Sequence, residues 1–187
     1  FQRSRVLHGS YVIGSRRGVS SHQYNPAVIL AGRDTTEDTG KCYGMVFVYS
    51  GNFMCEAEND QFGQTRVVMG IHTDLFHYPL DKGQELVIPE TILSYSDQGF
   101  GKLSKQYHNC IREHLCRGKY KDQIRPLLIN SWEASYFDFT GETILNLAKG
   151  AAELGIDMVV MDDGWFGKRD DDNSGLGDWQ ANEKKLG

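Results

Sequence analysis

Two carboxylates stand side by side at Asp162 and Asp163, after the run Ile156-Asp157-Met158-Val159-Val160-Met161 and before Gly164-Trp165. An ionised carboxylate accepts hydrogen bonds strongly and donates none. Two together suit a ligand with several neighbouring hydroxyl donors, as a sugar has. Trp132 and Trp165 could supply the flat apolar wall that the C–H face of a sugar needs. Bond cleavage is a poorer match. A retaining glycosidase needs two carboxyl groups about 5 Å apart flanking the scissile bond, whereas neighbours on an extended chain point to opposite faces. The same acids would also serve as a strand-end cap, and the residues alone leave both readings open. Glu133, near the end of an earlier apolar run, fits an acid/base role or a surface one.

Other motifs carry less. Asp170, Asp172, Ser174 and Gly175 fall at positions 1, 3, 5 and 6 of a calcium-loop pattern, but position 12 is Ala181 rather than a bidentate Glu. A solvated loop explains that run better, and no metal site is expected. No P-loop, G-x-S-x-G or G-x-G-x-x-G is present, and Ser21 beside His22 is no evidence of triad geometry. Cys42, Cys55, Cys110 and Cys116 form no C-x-x-C pair. Buried reduced thiols in a cytoplasmic protein are the favoured reading, although a Cys42–Cys55 bridge is conceivable.

The elements must bring those acids to a ligand. An apolar run that does not alternate reads as a strand buried on both faces, predicted over 156–161. In α/β folds ligands bind at the carboxyl ends of parallel strands. A second such strand is predicted over 126–134. Between them Thr140 is a plausible helix N-cap with Thr143 at N3, apolar residues recur from Ile144 to Leu154, and Gly155 ends the helix. That is the strand–helix–strand length of a right-handed parallel crossover.

Upstream the pattern is nearly all β. Short strands are predicted over 11–13, 27–31, 42–49, 53–58, 65–71, 86–88 and 91–95, separated by turn signals, with a hairpin at Tyr49-Ser50-Gly51-Asn52-Phe53. Such spacing reads as an antiparallel sandwich. Phe100, Leu103, Tyr107, Ile111 and Leu115 then form one helical stripe. The fold class expected is multidomain: β plus α/β, an antiparallel β-sandwich followed by a linker helix and the start of a (β/α)8 barrel. The domains fall at 1–98, 99–122 and 123–187. A complete barrel needs about 250 residues, so a truncated one is expected, and the opening Phe-Gln-Arg-Ser suggests entry in the middle of a longer protein.

With 187 residues, 40% hydrophobic and 24% charged, and a net charge of −5, the composition suits a globular protein and argues against general nucleic-acid binding. No apolar run approaches the roughly 20 residues that span a bilayer, so no membrane partner is expected.

Two longer stretches are specific. L-I-N-S-W-E-A-S-Y-F-D-F over 128–139 and A-A-E-L-G-I-D-M-V-V-M-D-D-G-W-F-G-K-R-D-D-D-N-S-G-L-G-D-W over 151–179 closely resemble the α-galactosidases of glycoside hydrolase family 36. S-S-H-Q-Y-N-P, V-Y-S-G-N-F, Y-S-D-Q-G and L-C-R-G-K-Y are similar to the same family's N-terminal β domain and linker, so the likeness covers nearly the whole chain. The resemblance implies retaining hydrolysis of terminal α-D-galactosides such as melibiose and raffinose, with no metal or organic cofactor. It also implies a homo-oligomeric parent. Asp162 and Asp163 match the family's galactose-binding aspartates, and Trp132 matches the tryptophan that walls the pocket. The family's nucleophile and acid/base come from later barrel strands and match nothing here, so no catalytic residue is assigned. The competing reading is a non-catalytic β-sandwich module that binds carbohydrate or another protein.

Overall fold

The computed structural model describes residues 3–74 and 76–187. The chain divides into two compact units between Cys116 and Arg117.

In the first unit the strands are β1 (Gly9–Ser15), β2 (Ala27–Ala31), β3 (Cys42–Phe47), β4 (Phe53–Asn59), β5 (Thr65–Ile71) and β6 (Thr91–Ser96). They form two three-stranded antiparallel sheets, ordered β1-β4-β5 and β2-β3-β6. The β4–β5 hairpin is closed by Asp60, whose Oδ1 accepts from the N–H groups of Phe62 and Gln64, each at 2.9 Å. The predicted hairpin at 49–53 does not form. It connects β3 to β4, which belong to different sheets, and its polar groups go elsewhere: Ser20 N–H donates to the Ser50 carbonyl and Gly18 N–H to Asn52 Oδ1. Nor do residues 86–88 form a strand. Pro89 follows them without an N–H to give a ladder, and Val87 is 91% exposed.

Helix α1 (Gly99–Cys110) continues through a π-helical turn over Ile111–Leu115. Its first three N–H groups, on Gly99, Phe100 and Gly101, donate to the carbonyls of Gly40, Thr36 and Glu37, which answers the shortage of partners at every helix start. Leu103 is buried, and Tyr107 donates its hydroxyl to the Ile92 carbonyl at 3.3 Å. Gly44 of β3 makes room for that ring: a Cβ there would lie 2.5 Å from the Tyr107 oxygen. Thus α1 packs on β3 and β6, and the break between units follows it, at 116/117.

The second unit holds β7 (Leu128–Asn130), α2 (Trp132–Ser135), α3 (Gly141–Glu153), β8 (Met158–Val160) and α4 (Glu183–Leu186). Strands β7 and β8 pair in parallel, Leu128 opposite Met158 and Asn130 opposite Val160, joined through α3. The Thr140 hydroxyl accepts from Thr143 N–H at 3.3 Å while Thr140 N–H donates to the Thr143 hydroxyl at 3.2 Å, a reciprocal cap with Thr at N3. Gly155 takes φ +77 and ends the helix. Both strands are shorter than the apolar runs. Residues 132–135 become helix because Asn130 Oδ1 captures Trp132 N–H at 2.8 Å and turns the chain out of the ladder. The burial expected on both faces of β8 is only partial, Met158 being exposed. No helix among the described residues is long and apolar enough to cross a membrane.

Replacing Leu103 by Ala should cost about 3 kcal/mol. In native-state hydrogen exchange on the full-length protein, protection should fall in α1 and in β2, β3 and β6 while α3 is unchanged. Equal loss in α3 would show that the units do not open separately.

Candidate functional site

Because β7 and β8 are parallel and in register, the chain leaves both at the same edge. Ser131, 1% exposed, stitches the two exits together. Its N–H donates to the Val160 carbonyl at 3.0 Å, and its hydroxyl accepts from Asp162 N–H at 3.1 Å. Asn130 donates Nδ2–H to Asp162 Oδ2 at 2.6 Å, and Asp162 Oδ1 accepts from Asp163 N–H at 2.7 Å. Asp162 is therefore aimed by its neighbours through both oxygens, while each oxygen keeps further lone-pair capacity.

Asp163 is held differently. Its Oδ1 accepts from Arg169 Nε–H at 2.6 Å and from Gly164 N–H at 2.8 Å. Its Oδ2 has no hydrogen-bond partner among the described residues, and the side chain is 22% exposed. A bidentate cation would engage both oxygens; this one takes a single oxygen. The Arg169 guanidinium holds the Asp163 carboxyl below the ordinary carboxylate range, burial opposes that shift, and the Gly164 N–H adds to it. The partner effect is reciprocal, with Asp163 raising the already high pKa of Arg169.

Trp132 opens α2 on the same edge. It is half-buried, edge-on to Tyr136 and Phe137 with centroids 5.2 and 5.0 Å away. Tyr136, at φ +47, is the one non-glycine residue of positive φ among those described, and the turn it makes presents both rings to Trp132. Trp165 packs edge-on against buried Phe166 at 5.1 Å, so its ring is braced as well. Glu133 is exposed, with the Tyr136 hydroxyl donating to it at 3.4 Å. A concavity of this unit lined by Phe137, Phe139, Asp170 and Lys185 includes neither Asp162 nor Asp163. Asp162 and Asp163 are both half-buried.

Two acids of the run meet cations of the chain itself. Asp170 meets Lys185 at 3.1 Å, Asp172 approaches Arg169 at 3.5 Å, and the Ser174 carbonyl accepts from Arg169 Nη1–H at 2.7 Å. Among the described residues no group of three or more His, Cys, Asp or Glu could hold a metal ion. All four cysteines are free. Cys42 and Cys55 lie in different sheets, and burial pushes the Cys55 thiol up to about 11, far from a reactive thiolate.

Two contributors, Ser131 and Arg169, escaped the sequence reading. Arg169 left one faint signal, a basic residue six positions after Asp163 and directly before three acids.

Comparison with known proteins gives two family matches: the melibiase family over residues 86–187 and the glycosyl hydrolase family 36 N-terminal domain over residues 1–81. The bifunctional alpha-galactosidase/sucrose kinase AgaSK of Mediterraneibacter gnavus is 68% identical over 186 residues, covering 100% of this chain and 20% of the relative. Alpha-galactosidase AgaA of Geobacillus stearothermophilus is 50% identical over 185 residues, 99% of this chain and 25% of AgaA. The solved galactosidase domain of AgaSK superposes with a TM-score of 0.93 at 68% identity, covering 99% of this chain and 26% of that one. An AgaA variant in complex with raffinose gives 0.93 at 50% identity, with the same shares, 99% and 26%. This chain spans about a quarter of the length of AgaA.

The Asp163–Arg169 pair sets a pH dependence. A carboxyl whose folded-state pKa is depressed contributes stability that is complete above its unfolded value of about 3.9 and is lost as pH falls through the lower folded value. A carbon-13 titration of Asp163 in the full-length protein should show a midpoint below that of an exposed aspartate. Arg169→Met should move it upward. An unshifted midpoint in the native protein would refute the pairing.

Proposed function

This chain belongs to glycoside hydrolase family 36, the melibiases, and on that premise we propose that it builds one wall of the galactose subsite of an α-galactosidase. The reaction is retaining hydrolysis of terminal, non-reducing α-D-galactosides of the melibiose and raffinose type. Asp162 and Asp163 accept hydrogen bonds from neighbouring hydroxyls of the galactose ring, and Trp132 lies against its apolar face. A single observation carries this reading: two carboxylates at one strand exit are fixed by protein donors yet keep unused acceptor capacity.

The chemistry of bond cleavage falls to other residues of the whole protein. Asp162 and Asp163 are consecutive and tied to one another through Asp163 N–H, so they cannot take opposite sides of a glycosidic bond at the separation a nucleophile and an acid/base require. No metal or organic cofactor has a part in this scheme. In the wider protein the two sheets of the first unit belong to an N-terminal β-sandwich domain, and β7, α3 and β8 begin the catalytic (β/α)8 barrel. Self-association of the whole protein belongs to the same proposal, with exposed apolar side chains such as Leu93 on β6 as available surface. So does a cytoplasmic setting, which the four free thiols favour.

The full-length protein should release galactose from raffinose with the α-anomer formed first, as seen by proton NMR. Asp162→Asn and Asp163→Asn should each lower kcat/KM about a hundredfold, since each removes a charge-assisted hydrogen bond to a sugar hydroxyl. Residues 1–187 expressed alone should not turn over an aryl α-galactoside. Full activity in both Asn variants would overturn the subsite, and turnover by the isolated stretch would overturn the division of labour.

A further inference from the structure

Arginine and carboxylate usually meet through two parallel hydrogen bonds that occupy both oxygens. Here the contact is single. Arg169 gives Asp163 only its Nε–H, turns Nη1 to the Ser174 carbonyl at 2.7 Å, and leaves Nη2 3.5 Å from Asp172. Its guanidinium carbon lies 5.7 Å from the centroid of the Phe137 ring, the same ring that backs Trp132. The side chain is 5% exposed. A charge so buried is tolerated only when its donors are met, and the loop over 170–175 folds so as to meet them. Gly175, at φ +86, passes Arg169 so closely that a Cβ there would sit 3.1 Å from the arginine Cβ. A lysine, a compact point charge, could not make these separate contacts from one plane.

We propose that Arg169 is a positioning residue of the sugar subsite: it pins Asp163 by Oδ1, keeps Oδ2 available to the ligand, and makes that presentation depend on the 170–175 loop. The inference rests on the galactose-binding reading of Asp163. Arg169 itself touches no sugar; it acts through the carboxylate. Without it Asp163 is free to rotate, and ordering it becomes a cost of binding. Because the grip on a hydroxyl is made in ground state and transition state alike, its loss raises KM and spares kcat.

The test is a double-mutant cycle in the full-length protein, with an aryl α-galactoside as substrate and free galactose as competitor. Asp163→Asn alone should raise KM and the galactose inhibition constant. Arg169→Met should raise both about tenfold with kcat within about twofold, and Arg169→Lys should recover part of the loss. In the Asp163→Asn background, Arg169→Met should add nothing further, since the group it acts through is already changed. Should Arg169→Met fail to fold, Arg169→Lys carries the same cycle. The same KM factor in both backgrounds, or a loss of thermal stability with KM unchanged, would reduce Arg169 to a structural brace and overturn the proposal. An Asp163→Asn variant with unaltered KM would overturn the subsite itself and this inference with it, an outcome distinct from failure of Arg169 alone.

Discussion

Two parallel strands in register must finish at the same edge, and the second unit follows from that constraint. Leu128 opposite Met158 fixes the pairing, so the backbone leaves both strands within reach of one buried hydroxyl, that of Ser131. Once Ser131 has bound Val160 from one side and Asp162 from the other, the residues beyond each strand have little freedom. Asn130 is close enough to aim Asp162, and Asp163 follows with its N–H already committed. The crossover helix serves the same end. Its reciprocal threonine cap and Gly155 terminus set where α3 starts and stops, and so where β8 enters beside β7.

The two acids differ because their neighbours differ. Asp162 is aimed by a neutral amide and a backbone N–H, Asp163 by a buried cation. One is thus oriented without a formal counter-charge, while the other is kept ionised at the expense of one oxygen. A ligand bearing neighbouring hydroxyls meets two acceptors of unequal electrostatic surroundings. The groups lining the nearby concavity are engaged with each other instead, Lys185 donating to the Phe137 carbonyl and pairing with Asp170.

Much of this was legible in the residues, for local reasons. Short runs between turn signals became β1 to β6, the i, i+3, i+4 stripe became α1, and Thr140 to Gly155 reads as a helix because caps and apolar face agree. What escaped depends on partners distant in sequence. The segment 49–53 has the composition of a hairpin, yet its strands pair elsewhere. Residues 86–88 are apolar, with Val87 and Ile88 β-branched, yet they join no sheet. Trp132 looked like part of a strand because nothing local reveals that Asn130 would capture its N–H. Arg169 was hidden by its setting: a basic residue among acids reads as a solvated surface, and only the fold shows it buried.

The central claim is that Asp162 and Asp163 hold a galactose ring against Trp132, and a crystal structure of the full-length protein with galactose tests it most directly. The account predicts both carboxylates within about 2.5–3.0 Å of neighbouring ring hydroxyls, with the Asp163 contact made by Oδ2 and Oδ1 still on Arg169. A galactose seated away from these two acids, or bound while Asp163 Oδ2 faces a protein donor, would contradict it.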